Sequence, residues 1–316
     1  MRVSVSVFIF LVASISAVSA GQEIPDYPVQ QVSEHVYVIH GPRQTPNPTN
    51  QGFMNNPAFV ITDHSVVIVD PGSSVHIGEM VLRQIRKITD KPVGHVFVSH
   101  IHGDHWLGSH AIKQAYPQVK IHAHPQMIAE AEGGGAQRWL DFLSRLTNGA
   151  TDGTQAQAAI PTEVLQDGQE IAVGGLTLRV YLSEHAHTKT DAMIEVVEDS
   201  LMFLGDIGVY QRMGRMDDGT FRGNIAALDR ALALNLKHYV PGHGPSGGLE
   251  AGDAFRQYLK MVYDAAVKYS EEGLAPYEIK AKLMPLMDKY RKWPLFEEDF
   301  GKQVSLAVLE AEQAAF

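Results

Sequence analysis

Four side chains able to ligate a cation stand within six residues, in His100-Ile101-His102-Gly103-Asp104-His105. His100 and His102 alternate, so just after a strand both imidazoles point the same way. Gly103 permits a tight turn that brings Asp104 and His105 towards the same cavity. A solitary loop histidine needs no explanation beyond solvation; four such groups around one glycine do. Imidazole and carboxylate donors without thiolate suit a borderline divalent cation such as zinc, with iron or manganese as alternatives.

More ligands are available downstream, each where a predicted strand meets a loop. His187-Thr188 follows the run Leu176 to Leu182, and Asp206 follows Leu201-Met202-Phe203-Leu204-Gly205. His243 sits within Pro241-Gly242-His243-Gly244-Pro245. Each is weak alone, since Gly-Asp and Gly-His-Gly are ordinary turn chemistry. Near these loops His185, His122 and His124 are further histidines, and Lys189, Tyr210 and Arg212 are candidates for an anionic substrate group.

These groups must be held by a scaffold. His35 to His40 alternates as a strand, and residues 58–62 and 66–69 form a hairpin ended by Asp70-Pro71-Gly72. Residues 77–88 have helical spacing and 94–98 return to strand, which places the His100 loop at the carboxyl end of a buried strand. A helix is expected over 106–116 and a strand over 120–123. Residues 126–160, with helical pieces around Gly133-Gly134-Gly135, form a surface excursion that covers a cleft or is simply a variable loop. Strands over 170–173, 176–182, 192–197 and 201–204, a helix over 224–234 and a strand over 238–240 make a second half. Two strand-rich halves, each with helices, imply two sheets packed face to face with helices outside. Beyond Ala254 the pattern is helical, broken at Pro285 and Pro294. The polar stretch 45–56 reads as a loop forming a flap over the metals.

With 316 residues, 45% of them hydrophobic, the chain can bury a sizeable core. A net charge of −10 without basic clusters argues against nucleic acid and membrane surfaces as partners, leaving a small-molecule substrate. The absence of cysteine removes disulfides, thiolate ligands and a cysteine nucleophile. Residues 1–20 read as a cleavable export signal. Met1-Arg2 is a short positive start, residues 7–13 are apolar, and Ala20 and Val18 stand at −1 and −3 of a cut before Gly21. The apolar part is too brief for a comfortable membrane span, so a periplasmic or secreted product without stable membrane insertion is expected.

The ordered set His-x-His-x-Asp-His, His-Thr, strand-end Asp and Pro-Gly-His-Gly resembles the metallo-β-lactamase superfamily over roughly residues 30 to 248, and Val69-Asp70-Pro71-Gly72 matches its strand-ending Asp-x-Gly. The resemblance implies an α/β fold, an αββα sandwich over residues 21–248, with a C-terminal helical extension over 249–316. It implies that His100, His102 and His187 hold one metal, that Asp104, His105 and His243 hold a second, and that Asp206 bridges them. A water between two cations would be acidified towards neutrality, an attacked oxygen would be polarised, and Asp104 would take part in catalysis. Asp70 is read as an orienting or turn-forming residue.

Within the superfamily, Asp206 excludes the cysteine-containing β-lactamase class and matches the glyoxalase II and general hydrolase arrangement. Lys189-Thr190-Asp191 departs from the glyoxalase II pattern. The signal together with Tyr239-Val240-Pro241-Gly242-His243-Gly244-Pro245 is most similar to exported SoxH-type and quinoprotein-relay metallohydrolases. The expectation is a binuclear hydrolase of esters, thioesters, lactams or related bonds. The alternatives are a β-lactamase acting on antibiotics, a mononuclear iron persulfide dioxygenase, and a non-catalytic metal-binding or relay protein.

Overall fold

The computed structural model describes residues 23–152 and 158–314; the expected leader, residues 1–20, lies outside them. Two sheets are present among these residues. The first runs in chain order through β1 (Val29–Gln31), β2 (Val36–Ile39), β3 (Ala58–Ile61), β4 (Val66–Val69), β5 (Val93–Phe97), β6 (Lys120–Ala123) and β7 (Glu163–Val164). The second comprises β8 (Glu170–Val173), β9 (Leu176–Ser183), β10 (Asp191–Val196), β11 (Leu201–Val209) and β12 (His238–His243), in the order β12-β11-β10-β9-β8.

Connection length decides strand direction. The pairs from β1 to β4 are antiparallel and joined by loops or turns. The β4–β5, β5–β6, β6–β7 and β11–β12 pairs are parallel. Parallel neighbours need a crossover, and helices supply it. These are α1 (Val75–Arg86), then α2 (Gly103–Trp106) with α3 (Ser109–Ala115), then α4 (Pro125–Glu130) with α5 (Ala136–Leu146), and α6 (Phe221–Ala233) in the second half.

Strand alternation sorts side chains into layers. Val67 and Val69 of β4 pack between the sheets with Ile194 of β10 and Leu201 and Phe203 of β11. Val66 and Ile68 turn the other way, onto Ile77, Met80, Val81 and Ile85 of α1. On the far side Met202 and Leu204 meet Leu228 of α6 and Tyr258, Leu259 and Val262 of α7 (Glu250–Glu271). The result is the expected αββα sandwich. The helices α8 (Pro276–Leu283) and α9 (Phe296–Ala314) extend its outer layer through Ile279, Phe300 and Val304. No helix among the described residues is long and apolar enough to cross a membrane.

Three elements differ from their sequence reading near the site. The single helix expected over 106–116 is split into α2 and α3 at Leu107-Gly108, where the Gly108 N–H donates to the Gly72 carbonyl rather than within a helix, and a Cβ at Gly108 would overlap the Pro71 carbonyl. The early start of α2 at Gly103 sets Asp104 and His105 on one short helical turn. The strands expected to end at 204 and 240 continue to 209 and 243. Gly205 takes a φ of +54° and the β11–β12 register shifts there, with pairing again at Val209 and His243. Asp206 and His243 therefore stand within strands rather than in loops, His243 paired with Val209 and Asp206 in the irregular stretch between the Gly205 and Val209 pairs.

Candidate metal centre

All seven residues singled out as ligands meet at one edge of the sandwich. His100, His102, His187 and Asp206 each offer an atom within 4.8 Å of the others, and Asp104, His105 and His243 do the same. His187 Nε2 lies 3.0 Å from His102 Nδ1. Asp104 Oδ2 lies 3.3 Å from His243 Nε2 and 3.6 Å from His105 Nε2. Asp206 faces both groups: Oδ2 is 3.6 Å from His187 Nε2 and 3.2 Å from His243 Nε2, and Oδ1 is 3.2 Å from His105 Nε2.

None of the seven is more than 7% exposed. Burying five imidazoles and two carboxylates is unfavourable unless opposite charge and hydrogen bonds compensate. His100 Nε2 is buried and lacks a hydrogen-bond partner. The outward nitrogens, by contrast, are mostly anchored. His100 Nδ1 donates to Ser99 Oγ (2.9 Å), His105 Nδ1 to Asp70 Oδ2 (2.8 Å) and His243 Nδ1 to the Met54 carbonyl (2.9 Å). His102 is reversed, with Nε2 donating to Asp218 Oδ2 at 3.0 Å. Each anchor fixes a tautomer whose lone pair points inward, the state cation ligation requires. His187 is the exception, its Nδ1 buried without a partner.

Protonation follows the same logic. Burial, then the neighbouring His105 and His102, hold His100 well below the ordinary histidine range, and burial pushes His187 down to about 3. Burial, the largest single effect, lowers His105 and His243, but the carboxylates facing them, Asp206 and Asp104 together with Asp70 at His105, outweigh it in sum and both rise. Burial pushes Asp104 and Asp206 up, and the facing histidines, His105 and His243, more than reverse it, so both carboxylates stay ionised. The raised proton affinity of His105 and His243 marks a pocket whose carboxylates draw in positive charge, which a bound cation would supply instead. The donor set fits divalent metal.

The profile of the metallo-beta-lactamase superfamily matches residues 51–243, which hold all seven residues. The chain belongs to this superfamily. It is 23% identical over 275 residues to a linear primary-alkylsulfatase from a Pseudomonas strain, covering 75% of this chain and 51% of that protein. The chain thus spans about half the length of that relative. It is 26% identical over 196 residues to a probable metallo-hydrolase of Streptococcus pyogenes, covering 60% and 79% of the two chains. Its fold is similar to that of a metallo-beta-lactamase from Pontibacter korlensis, with a TM-score of 0.59, 19% identity, and coverage of 74% and 98% of the two chains.

As in sequence, the superfamily motif in this chain depends on neighbours that orient it. Trp106 Nε1 donates to the Ile101 carbonyl at 2.8 Å. The His187 turn is braced by Thr188, whose N–H and hydroxyl donate to Asp191 at 2.7 and 2.8 Å. Thr190 Oγ1 accepts from Ile101 N–H at 3.1 Å, tying that turn to the His100 loop. The stretch 45–56 is a brace as well as cover, buried over residues 50–56. Asn55 donates to the Asp70 carbonyl, and Asn56 to the carbonyls of Pro241 and Gly244.

The remaining candidates divide cleanly. His185 faces the Asp218 carbonyl, outside both groups. His122 stacks on Phe97 and pairs with His95, and His124 accepts the Gln126 N–H at the start of α4; both serve structure. Lys189 is exposed, whereas Arg212 is buried and lines a cleft of about 340 Å³ over the centre. The excursion contributes Trp139, Phe142, Leu143 and Leu146 to its wall, and α9 contributes Asp299 and Lys302. Asp218 was not foreseen, because Met216-Asp217-Asp218-Gly219 reads as any polar turn.

Proposed function

We propose that this chain is an exported hydrolase with a binuclear zinc centre. In this reading His100, His102 and His187 hold one ion, Asp104, His105 and His243 the other, and Asp206 both. The observation that carries it is Asp206, whose two oxygens face histidines of both groups within 3.6 Å. Two divalent ions supply Lewis acidity and make a water nucleophilic at neutral pH. Asp104, ionised and lining the cleft, would hold and orient that water beside the bond to be cleaved. The cleft walls exclude bulk solvent and place an ester, thioester, lactam or related bond beside it. Export rests on residues 1–20, and the product is expected in the periplasm or outside the cell.

The complete second group supports a hydrolase over the one-iron persulfide dioxygenase, which has little need of His105 and His243. The likeness to an alkylsulfatase adds sulfate esters to the bonds worth testing. The test is turnover of a carboxylic ester, a thioester, a β-lactam, a phosphodiester and an alkyl sulfate, with and without chelator. Turnover of at least one, abolished by chelation and by Asp206→Asn, is expected. Oxygen uptake with a persulfide and no hydrolysis would overturn the proposal.

A further inference from the structure

Three cationic side chains line the cleft, and they are not equivalent. Arg215 pairs with Asp217 at 3.0 Å, and Lys302 pairs with the same carboxylate. Arg212 makes no ion pair within 4 Å among the described residues, although it is only 7% exposed. Its Nε is buried without a partner, and its Nη2 faces only the Met54 thioether at 3.8 Å. A guanidinium carries five donors and stays charged, so burying it unpaired is strongly unfavourable.

The backbone around it is clamped. Tyr210 N–H donates to the His243 carbonyl, Met213 N–H to the Pro294 carbonyl, and Gln303 Nε2 to the Gly214 carbonyl. Arg212 is thus presented to the cleft by a rigid loop, which lowers the ordering cost of binding. Asp104, Asp206 and Asp299 lie nearby, but Asp104 and Asp206 already face histidines at shorter range and Asp299 lines the cleft without pairing with Arg212 within 4 Å. Cations bound by those groups would add positive charge beside Arg212, so the partner that balances it is an anion from outside the chain.

We infer that Arg212 receives an oxyanion group of the substrate, and that the substrate is an anionic amphiphile whose apolar part lies against Trp139, Phe142, Leu146 and Leu295. The apolar wall comes from α5 and the approach to α9, and the guanidinium from the loop after β11. A planar guanidinium binds a carboxylate or sulfonate through two parallel hydrogen bonds, which orients the substrate as well as holding it. Arg212 is a specificity-determining residue in this view. That the ligand is a substrate rests on the hydrolase reading; the anion site itself does not.

The experiment measures binding of octanoate and of octan-1-ol to the purified full protein by titration calorimetry at pH 7.5. Wild type, Arg212→Met and Arg212→Lys are compared, with the metal content of each determined. Arg212→Met is expected to weaken octanoate by about tenfold or more and to leave octan-1-ol within about twofold, with Arg212→Lys intermediate. Unchanged octanoate affinity in Arg212→Met would overturn the inference. So would equal loss of both probes together with loss of metal, which would make Arg212 a structural countercharge. Octanoate discrimination without turnover of any ester would sink the hydrolase reading alone, and turnover without discrimination would sink this one alone.

Discussion

Asp70 accepts the Nδ1–H of His105 at 2.8 Å from a backbone held at a φ of +51°. The same carboxylate accepts the Ser99 N–H at 2.8 Å and the Ser99 hydroxyl at 2.6 Å. Ser99 Oγ in turn accepts from His100, so one side chain orients a histidine of each group. Asparagine tolerates the left-handed region, so Asp70→Asn removes the charge while keeping the turn. Metal affinity is expected to fall about 10- to 100-fold. Competition against a chromophoric chelator measures it, and an unchanged affinity would contradict the orienting role.

Gly242 abuts Asp206. A Cβ there would overlap Asp206 Oδ1 and the Gly205 carbonyl group. Gly242→Ala is expected to destabilise the fold by about 1–3 kcal/mol through overpacking. It should also displace the carboxylate facing both groups, so turnover falls even where urea unfolding shows the protein fully folded. Wild-type turnover under those conditions would show that Asp206 tolerates movement.

Burial raises Asp191 to about 7, against the donors of Thr188 that favour its charged form. Between about pH 4 and 7 the folded, metal-free protein therefore holds a proton that the unfolded chain has released. Its stability contribution is present at low pH and is lost as pH rises towards 7, by on the order of 4 kcal/mol. Asp191→Asn should remove that decline. Urea unfolding of chelated protein at several pH values checks it, and parallel wild-type and variant profiles would rule it out.

Much of this was legible in the chain because it depends on local period. Alternating Val66 to Val69 defines two faces of β4, and the His100–His105 spacing turns four ligands into one cavity. The sandwich followed from counting such runs. What escaped is non-local. Asp218 reaches His102 across 116 positions, and Asn56 reaches Gly244 across 188. No spacing announces either pair. The polar stretch 45–56 reads as a loop forming a flap over the metals, yet Asn50, Asn55 and Asn56 are buried where they donate to backbone carbonyls. Polarity marks hydrogen-bonding capacity, and packing decides whether water or backbone uses it.

The central claim is most directly tested by anomalous diffraction from crystals of the purified protein grown with zinc. Two peaks are expected. One should lie about 2.0–2.2 Å from His100 Nε2, His102 Nδ1 and His187 Nε2, and the other at like distance from Asp104, His105 Nε2 and His243 Nε2, with Asp206 between them. A single peak, or ions held away from these atoms, would contradict the account.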